Sequence, residues 1–193
     1  FTNRFFFFSY SYQHRYQQTD KDTYDYMNPD DYMNNRLDSL SKFYENKYNT
    51  HEFNVSLRTI REKYQYNIGF SVQPQESTTS YEQGTIKVDT TRNVVNFSPT
   101  FDYRYRFNKQ SMLRINYRGR TSQPSMTDLL PITDTSDPLN ISRGNPSLKP
   151  SYTNSFMLFY NTFLPEKQQS MMARLTFSNT INSVSNTVTY DEE

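Results

Sequence analysis

One short stretch limits this chain's fold more than any other. In residues 64–72, Tyr64, Tyr66, Ile68, Phe70 and Val72 alternate without a fault with Gln65, Asn67, Gly69 and Ser71. A period of two puts the apolar set on one face of a β-strand and the polar set on the other. The same rule runs through Phe101, Tyr103, Tyr105 and Phe107 against Asp102, Arg104 and Arg106, and through Leu113, Ile115 and Tyr117 against Arg114, Asn116 and Arg118. Phe53, Val55 and Leu57, then Phe156, Leu158 and Tyr160, then Leu175 and Phe177, repeat it. At the start, Phe6, Phe8, Tyr10 and Tyr12 form one face, while Phe5 and Phe7 place rings on the other, which calls for a bulge or an inner packing partner. The pattern predicts about seven strands.

The connections are of two kinds. Short links fall near Arg61-Glu62, at Asn108-Lys109-Gln110 and at residues 164–167, which include Pro165; these lengths suit hairpins. Long polar links are expected at residues 19–47, 73–91 and 123–150. Short and long links alternate, as in membrane barrels whose periplasmic turns are short and whose outer loops are long. A soluble β-sandwich also has one dry face, but its turn signals recur every 8 to 12 residues or so, without this alternation.

Both strands of a hairpin must turn their apolar residues the same way, so each short turn predicts a register. A two-residue turn at Arg61-Glu62 sets Leu57 opposite Tyr66 and Val55 opposite Ile68. A three-residue turn at Asn108-Lys109-Gln110 sets Tyr105 opposite Leu113 and Tyr103 opposite Ile115. A four-residue turn at residues 164–167 sets Tyr160 opposite Met171 and Phe156 opposite Leu175. The second register also opposes Arg104 and Arg114, an unfavourable pairing that a two-residue slip or a diagonal bridge from Asp102 would relieve.

Composition explains how so polar a chain covers its rings. Mean hydropathy is -0.94, yet the chain carries 17 Tyr and 15 Phe, and disordered chains are poor in aromatics. A membrane helix needs about 20 consecutive apolar residues, whereas a barrel strand needs them only at every second position. The expected fold is therefore all-β, an antiparallel up-and-down transmembrane β-barrel, with residues 1–193 forming a partial barrel domain in a bacterial outer membrane. Phe6, Tyr64, Tyr105, Phe107, Tyr160 and Phe163 near the short turns suit an aromatic girdle. The start at Phe1, with no charged segment, apolar stretch or cleavage site, reads as an internal fragment.

Several function classes lose support. With no Cys there are no disulfides or thiolate metal sites. A net charge of +1 gives no bulk attraction to nucleic acid. There is no Gly-x-Ser-x-Gly elbow, HExxH or phosphate loop, so no enzyme activity and no cofactor are expected. His14 and His51 are far apart with no partner at metal-ligand spacing, and read as chance polar positions. Asp20, Asp22, Asp25, Asp30 and Asp31, with Asn28, Asn34 and Asn35, crowd the first long link, but they lack a calcium loop's central Gly and terminal Glu; a solvated loop is the reading. Tyr24, Tyr26 and Tyr32 in that link are candidates for stacking on a sugar or another flat ligand. Arg104, Arg106, Arg114, Arg118 and Arg120 share the inner face of two adjacent strands. They are candidate lumen-lining residues for an anionic solute or the acidic side of a plug, set against a plain wet lumen that tolerates any charge.

The segment from Asp137 through Asn140, Arg143, Gly144, Asn145, Pro146 and Pro150 to Ser155 resembles a recurrent stretch in TonB-dependent receptor barrels. Leu113-Arg114-Ile115-Asn116-Tyr117-Arg118, Gln123-Pro124-Ser125 and Tyr48-Asn49-Thr50-His51 resemble the related Bacteroidota outer-membrane β-barrel family, over roughly residues 40 to 190. The resemblance implies a large barrel of about 22 strands with a plug, importing a solute with energy passed through TonB. The implied partners are outer-membrane lipid, a plug domain, TonB and a small solute or glycan. A surface-binding or scaffold barrel and a passive pore are the competing readings. Pro138, Pro146 and Pro150, with Gly144, predict a turn-rich loop outside the membrane.

Overall fold

The computed structural model describes residues 3–25, 35–134, 141–185 and 187–188. The strands are β1 (Asn3–Lys21), β2 (Lys42–Ile60), β3 (Tyr64–Gln83), β4 (Ile86–Arg106), β5 (Ser111–Ser122), β6 (Thr133–Asp134), β7 (Ser142–Arg143), β8 (Ser151–Leu164) and β9 (Gln169–Ile181), with one helical turn, α1 (Met126–Leu129). Seven strands form one antiparallel sheet in the order β1-β2-β3-β4-β5-β8-β9; β6 and β7 are a small pair in the last long link. Each strand pairs with its neighbours along the chain, the up-and-down topology of the expected barrel wall.

The alternation becomes two faces. One row of paired residues crosses the whole sheet as Phe6, Leu57, Ile68, Phe101, Tyr117, Phe156 and Phe177. Much of it is exposed: Phe6 is 69% accessible, Ile68 50% and Phe177 62%, with Phe101, Tyr117 and Phe156 half-buried. An apolar row this open would drive association in water, and it is what lipid covers in a barrel. One row along on the other face run Phe7, Ser56, Gly69, Thr100, Arg118, Ser155 and Ser178.

The three-residue hairpin has the expected register, Tyr105 against Leu113 and Tyr103 against Ile115. Asn108 closes it by accepting the Gln110 and Ser111 N–H groups on its Oδ1 at 2.9 and 2.7 Å. The other two registers are corrected by two residues. Leu57 lies opposite Ile68 and Val55 opposite Phe70, because Arg61 N–H bonds to Tyr64 O and the turn is Glu62-Lys63. Tyr160 lies opposite Ala173 and Phe156 opposite Phe177. Pro165, which has no N–H to give, starts a short 3-10 turn, and Gln168 closes it at φ 51°. Both corrections keep every face, so alternation alone could not separate them.

The long link expected at residues 73–91 is absent. β3 and β4 continue as a paired ribbon to a two-residue turn at Gly84-Thr85, Gly84 taking φ 55°. Ser77, Thr78, Thr79, Ser80, Thr90 and Thr91 are strand-compatible but polar on both faces, so they carried no alternation to read. The first link is shorter than expected, residues 22–41, and the third matches at 123–150. No bulge accommodates Phe5 and Phe7: the β1–β2 register is unbroken, and the two rings stack on the inner face at 6.3 Å. Phe6 sits in the central outward row rather than near a turn, whereas Tyr105, Phe107 and Tyr160 do form a ring chain at the turns, with centroids 4.9 and 6.1 Å apart.

Two prolines interrupt the ladder. β2–β3 pairing lapses between Thr50–Gln75 and Phe53–Val72, at Pro74. Listing down β4, its ladder with β5 stops at Thr100, next to Pro99. Beyond it the Thr121 hydroxyl accepts from Phe97 N–H and donates to Phe97 O, both at 3.0 Å, so a side chain carries the rung that the backbone cannot.

Candidate functional site

The inner face forms an open concavity of about 1630 Å³ bordered by β1 to β5 and β8, with Phe7 at one side and Thr153 and Ser155 at the other. Its floor is made of small side chains, Ser56, Ser98 and Thr100, with Gly69 paired between Ser56 and Thr100 beneath them. Gly69 is held small by contact, since an added Cβ would lie 2.6 Å from Thr100 Oγ1. Long residues rise around this floor, among them Arg58, Arg104, Arg118 and Arg120, with Gln65, Asn67, Gln73 and Gln75.

The five arginines singled out from the sequence separate into three environments. Arg104, Arg118 and Arg120 border the concavity. Arg114 lies directly opposite Arg104, as the register predicted, and it is the diagonal bridge that relieves the pair. Asp102 Oδ2 accepts from Arg114 Nη2 at 2.7 Å and Nε at 3.0 Å, and from Asn116 Nδ2 at 3.3 Å. Arg106 is exposed next to the short turn and borders no part of the concavity. Arg104 is left with a buried Nε that has no hydrogen-bond partner among the described residues. Arg58 was missed by the sequence reading; it stands one place beyond Leu57, so continuing β2's alternation by one residue would have found it.

The third link shapes the mouth of the concavity. Instead of projecting away, residues 123–126 face Arg15, Gln17, Tyr48, Gln75, Ser77, Arg92 and Val94 across a second hollow of about 340 Å³. Gln123 Nε2 donates to Asn96 Oδ1 at 2.7 Å and ties the link to β4. Met126, Leu129, Leu130 and Tyr81 are the buried hydrophobic residues among those described. Met126, Leu129 and Leu130 stand at i, i+3 and i+4, a one-sided apolar set near the start of the link, and that spacing was the available signal. Further along, Asn145 N–H bonds to Asp128 O at 2.6 Å and Gly144 N–H to Ile132 O at 3.4 Å, so the Gly144-Asn145-Pro146 turn folds back onto α1.

The first link offers less. Tyr24 forms a bridge with Arg36 at its base and is 39% exposed; Tyr26 and Tyr32 lie outside the described residues, as do Asn28, Asp30, Asp31 and Asn34. Arg36 bonds Asp22 at 2.6 Å and lies 3.3 Å from Asp38. That hydrogen bond to Asp22 holds its guanidinium above its ordinary pKa against the desolvation that opposes it, with the charges of Asp22, Asp38 and Asp20 adding. Asp22 is thus engaged in closing the link. The two histidines, remote in sequence, meet on the outward face. His51 Nδ1 is 2.8 Å from Tyr10 Oη, and Asn49 Oδ1 is 2.7 Å from His14 Nδ1 and 3.1 Å from Tyr12 Oη. They join a polar and aromatic patch above the apolar rows. No grouping of three or more His, Asp or Glu with metal-site geometry occurs among the described residues.

No curated protein and no solved structure matches the chain. The model of the Outer membrane protein beta-barrel family matches residues 3–193, which agrees with the lipid-suited outer face and the polar inner one, and the chain belongs to that family of bacterial outer-membrane barrels.

Proposed function

We propose that this barrel wall belongs to an importer that takes up a solute through the outer membrane in the manner of TonB-dependent receptors, with residues 123–130 folded into its mouth. The observation that carries this reading is the inward link. A loop tied to Asn96 and burying Met126, Leu129 and Leu130 narrows the entrance to a wide polar interior. Such a closure suits a carrier that captures and then releases its solute. The likeness of the segment around Arg143-Gly144-Asn145-Pro146 to receptor barrels supports the same reading, and with it a plug domain and TonB as partners.

Deleting residues 123–149 from the full-length protein is expected to abolish solute uptake while the barrel still inserts, seen as retained heat-modifiable migration on gels. Uptake that is unchanged, or that survives loss of TonB, would reject energy-coupled import. A second reading, surface binding without transport, draws on the β3–β4 ribbon. It continues from Gln73 to Gln83 beyond the apolar stretch, about 35 Å of strand at roughly 3.4 Å per residue, and presents a rigid polar surface to a partner or glycan. Removing the ribbon's outer half without loss of uptake would separate the two roles.

A further inference from the structure

The concavity has a chemical bias of its own. Its charged lining residues are Arg58, Arg104, Arg118 and Arg120 against a single acid, Asp102. That acid is already engaged, bonded through one oxygen to both Arg114 and Asn116. The lining therefore holds four cationic groups with no free carboxylate among the described residues. Arg104 faces Arg114 across the strand pair and keeps a buried Nε without a partner. With Asp102 committed to Arg114, the Arg104 guanidinium has no carboxylate of its own in the lining, and a partly buried cation so placed calls for a counter-anion.

The rest of the lining is built to match. Gln65, Asn67, Asn96 and Asn116 offer amide donors beside the arginines, and the Ser, Gly and Thr floor leaves room between them. The register sets the spacing: Arg118 lies opposite Thr100 and Ser155, Arg120 opposite Thr153, and Arg58 opposite Asn67. These cations surround the small-residue floor rather than collapse onto one point. A guanidinium presents a planar fork suited to carboxylate, sulfate or phosphate oxygens. The cations are spread across several strands, which favours a solute with several anionic groups over a lone inorganic anion.

We infer that this concavity is a binding site for a polyanion, a solute carrying several sulfate, phosphate or carboxylate groups, held by Arg58, Arg104, Arg118 and Arg120. This rests on the import reading only for its biological setting; binding itself needs no transport.

The test uses the full-length protein in detergent micelles, with sucrose octasulfate as probe and sucrose as its neutral counterpart, followed by calorimetry at about 0.1 M salt, where exposed charges are screened beyond roughly 10 Å. The expected result is binding of the sulfated sugar and none of sucrose. Arg118→Gln with Arg120→Gln should weaken binding about tenfold or more, and Arg118→Lys with Arg120→Lys by less, because charge survives without the fork. Arg106→Gln, outside the concavity, should leave affinity unchanged. Heat-modifiable migration identifies folded variants, and Arg58→Gln on β2 gives an independent test from the far side of the floor. Equal losses from Arg106→Gln and the inner variants would overturn the site in favour of diffuse attraction. No binding of the octasulfate would overturn it too, including the case in which an acidic protein segment fills the same lining. Binding that persists while uptake fails would remove the import reading and leave the site standing.

Discussion

The ribbon of β3 and β4 can be divided in two, and its halves behave differently under one ladder. In the lower half, from Tyr64 to Val72 and from Phe97 to Tyr105, every outward residue except Pro99 is aromatic or aliphatic, and every inward one is polar, charged or Gly. In the upper half, from Gln73 to Gln83 and back, outward positions include Glu76, Thr78, Ser80, Glu82, Lys87 and Asp89, and inward ones include Gln75, Ser77 and Thr79. Antiparallel pairing runs through both halves to Gln83 and Ile86. Hydrogen bonding makes the strand; lipid demands the alternation. About 9–11 residues of tilted strand cross the hydrocarbon layer, so the alternating half is long enough to be the spanning part.

The comparison can be broken most forcefully by a charge. Ile68→Arg, in the central outward row, is expected to cost about 2–4 kcal/mol of barrel stability. Thr78→Arg, on the same outward face higher in the same strand, should stay within about 0.5 kcal/mol. Urea unfolding of the full-length barrel in bilayers measures both, and equal costs would deny the division. Next in size is Gly69→Ala, whose Cβ would collide with Thr100 Oγ1. The overpacked floor should lose about 1–3 kcal/mol, whereas Ser80→Ala in the upper half should be close to neutral.

Smaller effects sharpen the picture. Asp102→Asn leaves Arg104 opposite an unbridged Arg114. Because the Arg114 and Asp102 side chains are 38% and 27% exposed, solvent screening reduces the loss to about 1 kcal/mol, and high salt should shrink it further. Thr121→Val removes the hydroxyl rung beside Pro99 and should cost about 1 kcal/mol, read in the same unfolding series. If Thr121→Val were silent while Thr78→Val was not, the side-chain rung would have no energetic meaning.

How much of this was legible follows from which force left a trace. Lipid left one: the seven strands and the facing sense of every hairpin come from alternation, and at Asn108-Lys109-Gln110 even the register, with Arg104 opposite Arg114, could be read. The upper ribbon resembles a loop in the sequence because a strand polar on both faces has no hydropathy period to find, even where its inward Ser77, Thr79, Tyr81 and Gln83 are buried, and Thr and Ser suit strands and turns alike. The two-residue corrections at Glu62-Lys63 and Pro165 were hidden for a related reason, since such a slip moves no side chain to the other face. The arginine stripe was visible as parity, but its division was not. Which arginine Asp102 would take, and that Arg106 would stand apart, depends on diagonal reach and sheet curvature. The inward fold of the third link was written only in Met126, Leu129 and Leu130, three residues in a link taken to lie outside.

The central claim is that lipid covers the outward rows of the lower half and water wets the outward face above them. The chain has no cysteine, so single cysteines can be placed in turn along β3 of the full-length protein from Tyr64 to Gln83, spin-labelled in bilayers, and tested for access to oxygen and to a water-soluble nickel chelate. Oxygen access should rise at 66, 68, 70 and 72, fall at 65, 67, 69 and 71, and lose its period of two beyond Pro74, where the chelate reaches the outward sites. A period of two that persists to Glu82, or none from Tyr64 onward, would contradict the account.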